Sequence, residues 1–137
     1  MVAIMANGVS VHLTVSAHGR VMAKLKFKNS SNRDVFLEKY NACAEQRVEN
    51  NVFEIRTNGQ LLDYTGILAK RRRPIPQDYI VIRPGETFET EVDLMKAYGF
   101  PKELREYVVV YSAVISYPDH DGIWMLKSNP VRFSFRR

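Results

Sequence analysis

Strict alternation of apolar and polar residues near the start of the chain is the strongest constraint on its fold. Within residues 9–16 every second residue is apolar, and the pattern resumes over residues 21–28 after a turn at His18-Gly19. A period of two places successive side chains on opposite faces of an extended strand. The apolar positions are Val9, Val11, Leu13 and Val15, then Val21, Ala23, Leu25 and Phe27. The pattern predicts two half-buried β-strands, joined as a hairpin or as a sheet-to-sheet connection.

Turn residues and apolar runs extend this prediction along the chain. Asn58-Gly59 is typical of a two-residue hairpin turn, because both positions tolerate positive φ. The run over residues 107–115 is rich in β-branched and aromatic residues, which favours a central strand over a helix. We expect an all-β fold, an antiparallel β-sandwich of about 7–9 strands with one short helical turn near residues 93–98. Tyr107, at the start of the long strand, is expected to form a tyrosine corner with upstream backbone.

Length and composition bound the organisation of the chain. Its 137 residues, with 45% hydrophobic and 26% charged residues, are enough for one continuous core. We predict an N-terminal extension at residues 1–8 and a single domain over residues 9–137. No stretch approaches the roughly 18 apolar residues of a membrane span, and residues 1–8 lack the basic and apolar regions of a signal peptide. An intracellular protein and a processed secreted form both stay open.

The cysteine content and the net charge exclude little beyond a disulfide framework. Cys43 is the only cysteine, so an intramolecular disulfide is impossible. Since no histidine lies near it in sequence, we expect a buried structural thiol rather than a reactive one. The formal net charge of +5 favours acidic partners through long-range attraction.

No residue pattern in the chain matches a known catalytic motif. Asp119-His120-Asp121 resembles a metal cluster, but neighbouring residues on a strand point to opposite faces, and we expect a solvated hairpin tip there instead. The acidic series Glu86, Glu89, Glu91 and Asp93 is expected to be an exposed strand face rather than an acid–base site. We therefore predict a non-enzymatic protein with no metal and no cofactor.

The run Lys70-Arg71-Arg72-Arg73 is the one concentrated charge feature. It could bind an acidic protein surface or a polyanion such as nucleic acid. Nucleic-acid readers interleave basic residues with exposed aromatic ones, whereas the aromatic residues here fall mostly on core-facing positions. A protein partner is therefore favoured over nucleic acid, and a simple solvated loop stays an alternative to both.

A series of short motifs carries a resemblance to a known family. In order, they are Phe53-Glu54-Ile55, Asn58-Gly59, Tyr64-Thr65-Gly66-Ile67, Lys70-Arg71, Pro84-Gly85-Glu86, Asp93-Leu94, Ala97-Tyr98 and Tyr107. Their order and spacing resemble the N-terminal prodomain of deuterolysin-like (aspzincin) metallopeptidases, over roughly residues 9–117. The zinc-binding His-Glu-x-x-His of the family's peptidase domain is absent from this sequence.

The resemblance implies an immunoglobulin-like domain that covers or assists a peptidase. The chain would then be an inhibitor, a prodomain-like chaperone or an immunity-type binder of a zinc metallopeptidase. Within it, the segment from Tyr64 to Pro76 is the expected contact region, because loops of a rigid sandwich carry recognition. The predicted partner-binding residues are Tyr64, Gly66, Ile67, Lys70, Arg71, Arg72 and Arg73. Tyr64 and Ile67 could equally be core residues. The alternatives are a generic adhesion or assembly module and a polyanion binder acting through Lys70–Arg73.

Overall fold

The computed structural model describes residues 8–68, 72–116 and 123–137. These residues form ten antiparallel strands and two 3-10 turns, at Pro76–Asp78 and Leu94–Lys96, without an α-helix in the described ranges. The strands are β1 (Val9–Ala17), β2 (Val21–Asn29), β3 (Val35–Glu38), β4 (Phe53–Thr57), β5 (Gln60–Leu61), β6 (Tyr79–Ile82), β7 (Thr87–Asp93), β8 (Arg105–Ser116), β9 (Ile123–Lys127) and β10 (Val131–Phe135).

The first sheet consists of β1, β2 and β7, with β2 in the centre. Leu25 of β2 lies opposite Leu13 of β1 on one side and Thr90 of β7 on the other. All three are buried, because the alternation seen in the sequence turns the same positions of each strand inward. The outer face carries the lysines of β2 and the glutamates of β7.

The second sheet is organised by the long strand β8. Its first half pairs with β10, where Val109 lies opposite Val131, and its second half pairs with β9. The strand β4 pairs with the middle of β8, and β5 completes the order β10-β8-β4-β5. Ser128, between β9 and β10, keeps the two strands on β8, because its backbone N–H donates to the Tyr111 carbonyl (2.9 Å) and its hydroxyl accepts from the Tyr111 N–H (2.9 Å).

The two sheets are joined by both polar and aromatic contacts. The side-chain amide of Asn129, beside Ser128, donates to the Leu13 carbonyl (3.0 Å) and accepts from the Leu13 N–H (2.8 Å). It imitates a strand partner for β1, since an amide offers both a donor and an acceptor. In the core, the ring of Tyr111 packs edge-on against Phe27 of the first sheet and Phe53 of the second, with centroids 5.6 and 5.7 Å away. The result is one shared interior between two antiparallel sheets.

A two-stranded sheet of β3 and β6 lies beside the sandwich. Asn29, fully buried at the end of β2, donates its side-chain N–H groups to the carbonyls of Arg33 (2.7 Å) and Ile82 (2.8 Å). The polar residue that ends β2 therefore also fixes the small sheet to the first sheet.

The all-β prediction is confirmed, and so is the helical turn near residues 93–98, where Asp93 caps the 3-10 turn by accepting from the Met95 N–H (3.0 Å). The structure has ten strands, more than the 7–9 predicted. The two-residue β5 counts as a strand of its own, and β9 and β10 are separate strands that both pair with β8. Cys43 is buried as expected. Among the described residues, no helix is long and apolar enough to cross a membrane.

The predicted tyrosine corner at Tyr107 is wrong. The residue is 1% exposed, yet its hydroxyl has no hydrogen-bond partner in the described structure. Its ring stacks on Phe133 with centroids 5.2 Å apart, and it packs edge-on against Phe100 at the same distance. This aromatic environment offers the phenol no acceptor, and burial raises the pKa of Tyr107. The backbone tie that we expected from Tyr107 is made by Tyr111, whose hydroxyl donates to the Asn41 carbonyl (2.6 Å).

Candidate partner-binding surface

The predicted contact segment, residues 64–76 with 69–71 outside the described residues, begins at a firmly anchored tyrosine. Tyr64 forms a β-bridge with Tyr98, and their rings pack edge-on with centroids 5.5 Å apart. The next residue, Thr65, donates its backbone N–H to the Ala97 carbonyl (2.8 Å). The Tyr64 hydroxyl donates to the Ile67 carbonyl (2.6 Å), which folds the backbone over the phenol. The start of the segment is therefore held to the 3-10 turn of residues 94–96 and to the core.

Gly66 is needed inside this fold of the backbone. A Cβ added at Gly66 would lie 2.8 Å from three atoms of the Tyr64 phenol, closer than real Cβ contacts allow. We expected Gly66 to permit the close approach of a partner. The structure gives it an internal reason, because the Tyr64 phenol occupies the space where a side chain would be.

The sequence left open whether Tyr64 and Ile67 are core or surface residues, and the structure gives them different positions. Tyr64 is partly buried and packs against the core, whereas Ile67 is 46% exposed. Leu68, a residue that sequence analysis did not select, is 88% exposed. The segment therefore uses its aromatic residue as an anchor and presents two aliphatic side chains to solvent. Leu68 could have been found by its place between Ile67 and the basic run.

The basic run is only partly available for binding. Arg72 forms two hydrogen bonds with the Asp78 carboxylate, at 2.8 and 3.3 Å, and Asp78 also accepts from the Ile75 N–H (2.9 Å). These contacts fix the end of the segment on the 3-10 turn that precedes β6. Arg73 is exposed and makes no ion pair with the described residues. Lys70 and Arg71 lie outside the described residues.

A groove of about 440 Å³ lies beside the segment, and Gly66 and Ile67 line one side of it. Its charged lining comes from four separate parts of the chain. The basic members are Arg20 from the β1–β2 turn, Arg47 from the connection before β4 and Lys96 from the second 3-10 turn; the acidic members are Glu91 and Asp93 of β7. Sequence analysis missed these basic residues, because each is isolated along the chain and only the fold brings them together.

The described residues offer little for metal binding. No group of three or more histidine, cysteine, aspartate or glutamate side chains in these ranges is placed to hold a metal ion. Asp119-His120-Asp121 lies outside the described residues. Glu89 and Glu91 of β7 are exposed as expected, and Glu89 lies 3.7 Å from the Lys24 ammonium and 4.0 Å from that of Lys26. Glu86 lies before β7, and Asp93 is half-buried and caps the 3-10 turn.

The thiol of Cys43 has the opposite character to a reactive cysteine. It is fully buried, and burial, reinforced by the charge of Glu49, raises its pKa from 9.0 to about 12. A thiol is nucleophilic only as the thiolate, so Cys43 is protonated and inert at neutral pH. Its burial supports the structural role that we expected.

The sequence matches no protein-family model and no curated protein.

Proposed function

We propose that this chain is a non-enzymatic protein-binding β-sandwich that restrains a zinc metallopeptidase, as an inhibitor, a prodomain-like chaperone or an immunity-type binder. The observation that carries the binding function is the exposure of Ile67 and Leu68 on a segment anchored at both ends. The class of partner rests on the resemblance of the motif series to aspzincin prodomains. The immunoglobulin-like character of the sandwich belongs to the same resemblance.

The physical basis of binding is an exposed apolar surface on a rigid frame. Tyr64 fixes the start of the segment and the Arg72–Asp78 pair fixes its end, so ordering these two ends costs little conformational entropy on binding. Leu68 supplies apolar area to the centre of an interface, and the surrounding charges supply a polar rim. Arg47 already lies 3.7 Å from the Glu49 carboxylate, so Arg20 and Lys96 are the basic groups of the groove that an acidic partner surface could meet.

Titration of a purified aspzincin-type zinc peptidase with this chain tests the function. We expect the rate of peptide cleavage to fall in proportion to added chain until the two proteins are equimolar. Size-exclusion chromatography should show the complex at the same ratio. Full peptidase activity in excess chain, together with separate elution of the two proteins, would overturn the proposed partner.

A pair of matched variants locates the contact. Leu68→Asp places a charge at the proposed centre of the interface, and we expect it to weaken binding by at least about tenfold. Leu104→Asp is the control, because Leu104 is also exposed (59%) in a loop but lies outside the segment, just before β8. Equal weakening by both variants would show that the interface lies elsewhere.

An assembly module is the second candidate function, and one observation favours it. Val114 of β8 lies opposite Met125 of β9, with Ile123 two residues further, and all three are exposed. Monomeric proteins tolerate small apolar patches, and larger ones mark interaction sites. Light scattering over a range of concentrations tests self-association, and Met125→Lys should abolish any concentration dependence if this face is responsible.

A further inference from the structure

Two arginines on the outer face of the second sheet flank a single valine. Val108 of β8 lies opposite Arg132 of β10 and also opposite Arg56 of β4, so the three side chains form one row across three strands. Strands are about 4.8 Å apart in a sheet, which places the two arginine Cα atoms about 10 Å apart. Flexible guanidinium groups at that spacing can meet over the valine.

These arginines lack the acidic partners that basic residues have on the other sheet. Lys24 and Lys26 on the outer face of the first sheet lie within 4.0 Å of Glu89. Arg56 and Arg132, in contrast, form no ion pair with the described residues, although Glu106 lies in the next row of the same face. Two like charges about 10 Å apart on one face of a sheet repel each other weakly, and an anion between them turns this repulsion into attraction.

The two arginines also line a defined cleft. It has a volume of about 540 Å³, and its other walls include the Asn58-Gly59 turn and Ser134. The floor at Val108 is apolar and half-buried. The cleft therefore combines two guanidinium groups, an apolar floor and a hydroxyl on a rigid part of the sheet.

We propose that the Arg56–Arg132 cleft binds the phosphate or sulfate group of a small monoester. Guanidinium groups bind tetrahedral oxyanions through paired, charge-assisted hydrogen bonds. The volume leaves room for an organic body, which would rest on Val108. The Glu106 carboxylate at one side repels a second negative charge, so the cleft selects a single charged group over an extended polyanion.

Amide chemical shifts of the isotope-labelled chain, titrated with phenyl phosphate, phenyl sulfate and inorganic phosphate, test this site. We expect saturable shifts confined to the amides around Val108, Gly59 and Ser134. The two phenyl esters should bind at least about tenfold more tightly than inorganic phosphate, because their rings cover the valine. Comparison of the two esters distinguishes phosphate from sulfate as the group recognised.

Matched variants separate a built site from general positive charge. Arg56→Ala with Arg132→Ala should weaken phenyl phosphate binding by at least about tenfold, and the two lysine replacements should recover it only in part. Lys24→Ala with Lys26→Ala removes the same charge from the other sheet and should leave binding unchanged. Shifts that spread over both sheets, or equal weakening by the two alanine pairs, would overturn the proposal.

Discussion

Two long connections of the molecule, residues 39–52 and 62–78, are fixed to the sheets in different ways. The first is held by buried or partly buried side chains that bond to it from the strands and from Tyr98, which follows the second 3-10 turn. These bonds join the Tyr111 hydroxyl to the Asn41 carbonyl (2.6 Å), the Thr90 hydroxyl to the Cys43 carbonyl (2.7 Å) and the Tyr98 hydroxyl to the Asn51 side chain (2.8 Å). Loss of any one leaves a polar group without its partner in the interior.

The second connection is tied at its two ends by more exposed contacts. Tyr64 holds the start, the Arg72–Asp78 pair holds the end, and Ile67 and Leu68 project between them. Exposed ion pairs contribute little to stability, so this connection can change without unfolding the protein. The difference indicates that the first connection belongs to the frame, and it is consistent with the proposal that the second binds a partner.

The largest expected effect comes from removing the buried hydroxyl of Tyr111, which holds the first connection. Tyr111→Phe removes the donor to the Asn41 carbonyl and should lower the free energy of unfolding by about 1–3 kcal/mol. Tyr107→Phe is the matched control, because its hydroxyl is buried without a partner and its loss should be neutral or stabilising. Urea unfolding of both variants measures the difference. Equal destabilisation would show that the Tyr111 tie does not hold the connection.

The second-largest effect is expected from alkaline pH, which should weaken the contacts that hold the first connection. Burial raises the pKa of Cys43 to about 12, and it also raises the pKa values of Tyr98 and Tyr111. Each group binds its proton more tightly when folded, so these groups contribute full stability below their unfolded pKa values. The free energy of unfolding should then fall as the pH rises above about 9.

Urea unfolding between about pH 8 and about pH 11 measures this loss. Cys43→Ala removes the group with the lowest unfolded pKa and should make the fall begin at higher pH. An unchanged pH profile in this variant would mean that the thiol ionises equally in both states.

A smaller effect is expected where the second connection folds over Tyr64. Gly66→Ala introduces a Cβ against the phenol and should cost about 1 kcal/mol of stability while displacing the ring. Gly99→Ala is the control, because a Cβ there meets only a methyl group of Thr65 at 4.0 Å. Urea unfolding and the near-ultraviolet circular dichroism of the tyrosines report the two effects. If Gly99→Ala costs as much, the close approach to Tyr64 is not the cause.

The smallest effects are expected at the exposed end of the second connection. Arg72→Ala should lower the free energy of unfolding by less than about 1 kcal/mol, because the ion pair lies largely in solvent. Leu68→Asp should change it by less than about 0.5 kcal/mol. Thermal unfolding of each variant provides the measurement. A large loss in either would place this connection with the frame rather than with recognition.

The sequence predicted the features that depend on neighbouring residues. Alternation placed β1 and β2 correctly, Asn58-Gly59 placed a hairpin, and Asp93 marked a helical turn. The sequence left open whether Tyr64 and Ile67 are core or surface residues, and the structure packs Tyr64 against the core and exposes Ile67. Turn chemistry and strand periodicity act over a few residues, so one sequence is enough to detect them.

Only the tertiary structure decided which distant groups meet. It brought Arg20, Arg47 and Lys96 to one groove, and it placed Arg56 and Arg132 on either side of Val108. The hydrogen bond to upstream backbone that was expected from Tyr107 is made instead by Tyr111, four residues later. Such contacts depend on strand order and register, which arise when whole faces pack together, and alternation within one strand does not encode them.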